Sequence, residues 1–158
     1  MTPTPIEFLN YFALNKIILV ILEVGLPKFV LPLVFKYNKS IIMETKIIKD
    51  FINKKELLEI SKESFGNLVK AVVDIEQGIM AIGGELHADE EVLLTEQYGS
   101  KRENTWGINL YPEKTGDDFI EFNSMINLKP SRGNRVRGIE NQEIKEKIKE
   151  IVKKLVVE

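Results

Sequence analysis

The chain has 158 residues, a length suited to one domain. Its 22 Lys and Arg stand against 24 Asp and Glu, a formal net charge of −2, so there is no electrostatic case for a nucleic-acid polyanion as partner. The absence of cysteine and the presence of one histidine remove disulfides, thiolate catalysis, thiolate zinc sites, iron–sulfur clusters and any site that needs two imidazoles from one chain.

These averages join two unlike segments. Residues 1–42 carry four Lys and two Glu, a net of +2, and residues 43–158 a net of −4. Residues 17–35 read IILVILEVGLPKFVLPLVF, close to the roughly 20 apolar residues of a membrane-spanning helix. Against that reading, Glu23 and Lys28 would each cost about 2.5–3.5 kcal/mol in a bilayer, and Pro27 and Pro32 each remove a helical hydrogen bond. Met43 opens METKIIK, which looks like a natural start. The leader 1–42 is read first as sequence upstream of a mis-assigned start, second as a membrane anchor or signal segment, and third as part of the fold. The first reading makes the protein cytoplasmic. The second anchors it to a membrane through residues 17–35.

From residue 43 onward the elements follow one another without repeats. Residues 46–49 form a short strand. Asn53 caps a helix, with Glu56 three residues on as its capping-box partner and Gly66 at its end. Residues 68–76 and 79–87 are two strands joined at Gln77-Gly78 in a tight hairpin. Asp89 caps a second helix that ends at Gly99. Residues 105–112 and 119–129 are two more strands, and 130–140 is a loop with Gly133 and Gly138. Asn141 caps a last helix whose Ile144, Ile148, Ile151, Val152 and Leu155 form one apolar stripe.

Helices between hairpin-like strand pairs predict an α+β fold: an antiparallel sheet of about four or five strands with the helices packed on one face. Period-two alternation supports it. Ile120, Phe122, Ile126 and Leu128 share one face of their strand, and Trp106, Ile108 and Leu110 oppose Asn109 and Tyr111, so the other face is polar. Residues 43–158 are thus expected to be a single globular domain.

Three motifs carry a resemblance. GGELHAD (83–89), WGINLYP (106–112) and FIEFNSMIN (119–127), with the closing RGIENQEI (137–144), resemble a domain-of-unknown-function family of small bacterial proteins. The resemblance spans about residues 45–156 and none of 1–42. It implies a bacterial origin and carries over no activity and no cofactor.

The residues themselves offer three constellations. Glu85, His87 and Asp89, at i, i+2 and i+4 of a strand, point to one face, where Asp74 and Glu76 of the paired strand can join them for acid–base or metal-assisted chemistry; the bland alternative is an exposed strand end with Asp89 only a cap. Asn109, Tyr111, Glu121, Asn123 and Asn127 line one sheet face. Asn is depleted in strands, so such a face is either a polar ligand surface or a solvated or buried network. Arg132, Arg135 and Arg137 lie in a Gly-flanked loop whose guanidinium and N–H groups can hold an anion, or pair with Asp117, Asp118 or Glu140. No metal site is expected.

Three functions compete. The first is a small ligand-binding domain that takes a polar or anionic ligand with the polar face and the Arg/Gly loop. The second is a metal-assisted or acid–base hydrolytic enzyme centred on Glu85, His87 and Asp89, with cofactor unknown. The third is a homo-oligomeric interaction module without chemistry.

Overall fold

The structure, a computed structural model, describes residues 45–158. Their elements run β1 (Lys46–Ile48), β2 (Ile52–Asn53), α1 (Lys54–Glu63), β3 (Val69–Asp74), β4 (Ile79–Ile82), α2 (His87–Tyr98), β5 (Thr105–Leu110), β6 (Ile120–Glu121), α3 (Gln142–Leu155) and β7 (Val156–Val157). The leader and its apolar stretch 17–35 lie outside the described residues. Among the described residues no helix is long and apolar enough to cross a membrane.

Five strands form one antiparallel sheet in the order β1-β4-β3-β5-β6. The α+β class and the antiparallel sheet are as the sequence predicts. The distribution of the helices is not. Ala71, Val73, Met80, Ile82, Trp106 and Ile108 face α1 and α3 and pack on Leu57, Ile148, Val152 and Leu155. Val72, Ile79 and Ala81 point to the opposite face, where Leu94 of α2 covers them. Every residue of β4 and β5 is buried, so the sheet centre needs cover on both sides.

Local chemistry fixes the helix ends. The Asn53 side chain accepts the Glu56 N–H at 2.7 Å, and Asn141 accepts the N–H groups of Glu143 and Ile144 at 2.8 and 3.3 Å. Gly66 follows the Ser64 C-cap and donates its N–H to the Ser61 carbonyl at 2.7 Å. Gly99 ends α2 in the left-handed region. A separate parallel pair, β2 with β7, sets Ile52 against Val156.

The expected strand 119–129 is mostly absent. β6 pairs with β5 only at Glu121 opposite Asn109 and Ile120 opposite Leu110. Beyond it the chain turns through a short helical turn at Met125–Asn127. The backbone of Gly107 is nevertheless paired. Its N–H donates to the Asn127 side-chain oxygen at 2.8 Å, and its carbonyl accepts from Asn127 Nδ2 at 2.9 Å. One carboxamide thus stands in for a strand residue. Asn127 is fully buried and also donates to the Arg137 carbonyl at 3.0 Å. The crossing chain lies so close that a Cβ on Gly107 would sit 2.5 Å from Ser124 Oγ, which is why a strand interior carries glycine here.

Asn134 continues the scheme. Its Nδ2 lies 2.8–2.9 Å from the carbonyls of Asn127, Val136 and Gly138, which share its two N–H groups, and its oxygen accepts the Glu140 N–H at 2.7 Å. The loop 129–140 is therefore built on one buried side chain.

Replacing Asn127 with Ala strips partners from Gly107 and Arg137 at once. Urea denaturation is expected to show a loss of about 2–4 kcal/mol, since each buried group left unpaired costs about 1–3. A loss under about 0.5 kcal/mol, the usual effect of a surface substitution, would show that the carboxamide is not what closes this edge.

Candidate functional site

The GGELHAD segment is not a strand face. β4 ends at Ile82, Gly83 to Leu86 form a loop, and His87 opens α2. Asp89 is not the N-cap residue; it sits in the first turn and accepts the Leu86 N–H at 3.1 Å. Glu85 is exposed, and its carbonyl accepts from Lys70 Nζ at 2.5 Å. The expected Glu85/His87/Asp89 triad is therefore not assembled: alternation stops at the Gly-Gly pair, and helical geometry replaces strand geometry. Asp74 and Glu76 do not join His87 either. Asp74 lies opposite Ile79 at the turn end of the hairpin, whereas the chain leaves β4 for His87 at the other end. Asp74 is buried and accepts from the N–H groups of Glu76 and Gln77 and from Gln77 Nε2. Glu76 accepts from the Asn104 amide. Both are turn supports. Among the described residues no group of three His, Asp or Glu side chains could hold a metal ion.

His87 instead turns toward β5. Its Nε2 lies 2.8 Å from the Ile108 carbonyl. A carbonyl only accepts, so Nε2 carries the proton in this contact. Burial lowers the His87 pKa, and Lys70 and Arg137 add to that; the Ile108 carbonyl and the neighbouring Asn109 side chain oppose it. The net effect is a ring that stays neutral at neutral pH, with Nδ1 as an acceptor.

Next to His87 a polar line runs from the buried Asn109 to the half-buried Tyr111 and Glu121. Asn109 Nδ2 donates to Glu121 Oε2 at 2.7 Å, and the Tyr111 hydroxyl donates to the same oxygen at 3.1 Å. Burial and the Glu121 carboxylate raise the Tyr111 pKa, which keeps the phenol protonated and donating. A cleft of about 500 Å³ opens beside Tyr111 and Glu121. Phe122, Val136 and Ile139 give it apolar walls, and Lys114 and Lys145 stand at its rim near Asp117 and Asp118. Both of the Glu121 bonds fall on Oε2, and Glu121 Oε1 has no hydrogen bond among the described residues.

The other expected ligand residues divide. Asn123 lies past the end of β6, half-buried, and is not on this line. Arg132, Arg135 and Arg137 are exposed, and among the described residues no carboxylate lies within 4 Å of their guanidinium groups. The expected pairing with Asp117, Asp118 or Glu140 is thus not formed; Glu140 accepts the Arg135 backbone N–H at 2.8 Å instead. The N–H groups of Gly133 and Asn134 are bonded to Pro130 and Lys129 carbonyls, so these turn amides are not free for an anion. The loop's contribution is its Val136–Ile139 wall and the side chain of Arg137, whose charge reaches His87.

Two acids of α2, favourable to the helix dipole in its first turn, are buried and were not among the expected site residues. Glu90 is fully buried, and one of its oxygens accepts the Gly84 N–H at 3.0 Å. A Cβ on Gly84 would press on Glu90 Cγ at 2.9 Å, so the glycine permits the contact. Its second oxygen has no partner among the described residues. Burial raises the Glu90 pKa well above the usual carboxylate range, against the Gly84 bond and the Lys70 charge. Glu91 accepts from Thr105 Oγ1 at 2.5 Å and lies 3.6 Å from Lys129 Nζ, a pair exposed by only 10% on each side. The available signal was spacing: Glu90 stands one helical turn before the buried Leu94.

The fold and this cleft define a small α+β protein with a two-sided helical cover over a five-stranded antiparallel sheet. The chain belongs to the family DUF5674, described as a protein of unknown function, which matches residues 46–155, from the first residue of β1 to the last of α3. No curated protein and no solved structure matches the chain.

The two shifted groups at the start of α2 give opposite pH slopes. Glu90 holds its proton more tightly folded than unfolded, so its contribution is full below about pH 4.5 and is lost as pH rises toward the raised folded value. His87 binds its proton less tightly when folded, so stability falls as pH drops below about 6.5 toward the lowered folded value. Melting curves across pH are expected to show Glu90→Gln abolishing the first slope and leaving the second. An unchanged slope above pH 4.5 in that variant would show that Glu90 ionises freely.

Proposed function

We propose that the protein is a binding domain for a small polar ligand, held in the cleft beside Tyr111 and Glu121. One observation carries this reading. Residues 111–122 and the loop 129–140, separate stretches of the chain, line the same cleft. Its volume of about 500 Å³ suits a small-molecule site, which typically spans roughly 300–1,000 Å³.

The chemistry favours a ligand that carries a hydroxyl or amino donor. Tyr111 and Asn109 both spend their protons on Glu121 Oε2, which orients the carboxylate and leaves Oε1 to accept from the ligand. Phe122, Val136 and Ile139 cover an apolar part of the ligand. Lys114 and Lys145 stand near Asp117 and Asp118, so the rim offers both signs of charge to polar groups elsewhere on it. His87 stands next to Asn109 and reports on occupation of the cleft through that side chain. The hydrolytic reading loses support with the triad that the structure leaves unassembled.

A thermal-shift screen of the full chain against sugars, nucleosides and amino acids tests the proposal, because a ligand of the native state raises apparent stability. The compound that raises the melting temperature is expected to move the NMR signals of Tyr111, Glu121 and His87. Glu121→Gln is expected to weaken it by about tenfold or more, the worth of one charge-assisted hydrogen bond. Shifts confined to α1 and α3 would overturn the placement.

A further inference from the structure

A second hollow, of about 380 Å³, lies between the chain at Lys114–Ile120 and the C-terminal half of α3. Its floor is apolar: Phe119, Ile120, Val152 and Val156. Its rim is cationic. Lys54, Lys114, Lys149 and Lys153 line it, against two carboxylates, Asp117 and Glu158. Those two do not neutralise the rim firmly. Glu158 pairs with Lys54 at 3.4 Å and Asp117 with Lys149 at 3.0 Å, and Glu146 of the same helix lies 3.6 Å from Lys149, but these carboxylate side chains are 93%, 91% and 53% exposed. Pairs of this kind contribute little, and a bound anion can displace them. Lys153 has no carboxylate within 4 Å among the described residues, and the Lys54 ammonium stands 5.7 Å from the Phe119 ring centre, directly over the floor.

We infer that this hollow is a site for an amphipathic organic anion, a small carboxylate with an aliphatic or aromatic body. The apolar floor takes the body, and the lysines take the head. An inorganic anion would leave the floor wet, and a neutral apolar molecule would leave the ammonium groups unanswered. The lysine head is a point charge on a flexible stem, so it follows a carboxylate without imposing one geometry. The site is a concavity, which suits a single dissolved molecule and not a flat lipid surface. It shares Lys114, Asp117 and Ile120 with the Tyr111–Glu121 cleft, but it does not depend on a ligand there. The readouts that separate the two are Val156 and Lys153, which line only this hollow.

The experiment is an NMR titration of the full chain with decanoate below its micelle concentration, beside decanol and acetate as neutral-head and no-tail controls. Decanoate is expected to move Val156, Lys153 and Phe119, with each control at least about tenfold weaker. The exposed Lys153→Gln is expected to weaken decanoate several-fold and to leave the melting temperature unchanged. Equal binding of decanol would overturn the role of the lysines, and equal binding of acetate that of the floor. No shift at Val156 with decanoate, or binding only to phosphatidylglycerol vesicles, would overturn the site. Each of these readings comes from the parent protein and stands whether or not the variant folds.

Discussion

A sheet edge with unpaired backbone groups has to be closed, and the way this protein closes one determines what surrounds it. β6 contributes only two residues, so β5 would present the N–H and carbonyl of Gly107 to the interior without partners. The Asn127 carboxamide, with one acceptor and two donors, fits that vacancy as a peptide group would. To bring it there the chain must cross directly over Gly107, which fixes the glycine and the buried Ser124. The second donor of Asn127 then holds Arg137, and Asn134 ties the carbonyls on either side. The wall of the cleft at Val136–Ile139 is positioned by this chain of amides, not by a strand or a helix.

The same logic explains where polar groups sit in the molecule. α2 covers a sheet face with few large apolar residues, and two of its three buried side chains are carboxylates. Glu91 is matched by Thr105 and Lys129, both nearly buried, and Lys129 also passes 5.6 Å from the Trp106 ring. Glu90 is matched only by the Gly84 N–H, and it responds by retaining its proton. The two neighbours thus answer the same cost of burial in the two ways open to an acid: an ion pair and neutralisation.

Local signals were readable and non-local ones were not. Asn53, Asn141 and Gly99 work within one helical turn, and their roles follow from the sequence alone. The hairpin of β3 and β4 and the apolar stripe of α3 were equally legible, because periodicity sets them. Asn109, Tyr111 and Glu121 were placed together because strand alternation holds as far as Glu121. It fails where a side chain replaces the backbone. Residues 119–129 alternate like a strand, yet Asn127 serves as a surrogate for one. Residues 79–87 alternate too, yet two glycines release the chain into α2. The burial of Glu90 was hidden because an acid in a first helical turn normally serves the helix dipole in water.

The parallel pair of β2 and β7 has a consequence for the order of events in folding. It joins Ile52 to Val156, on the order of a hundred residues apart in the chain, through only two residues on each side. Closing so long a loop carries a large entropic cost and returns few hydrogen bonds. The sheet and the α3 stripe must therefore already be in place before this clasp gains anything by forming. It is expected to close late and open early, with its amides exchanging ahead of those of β3 and β5. Val156 belongs to that clasp and also to the floor of the lysine-rimmed hollow, so among the described residues that surface shares the clasp's dependence on the rest of the sheet and α3.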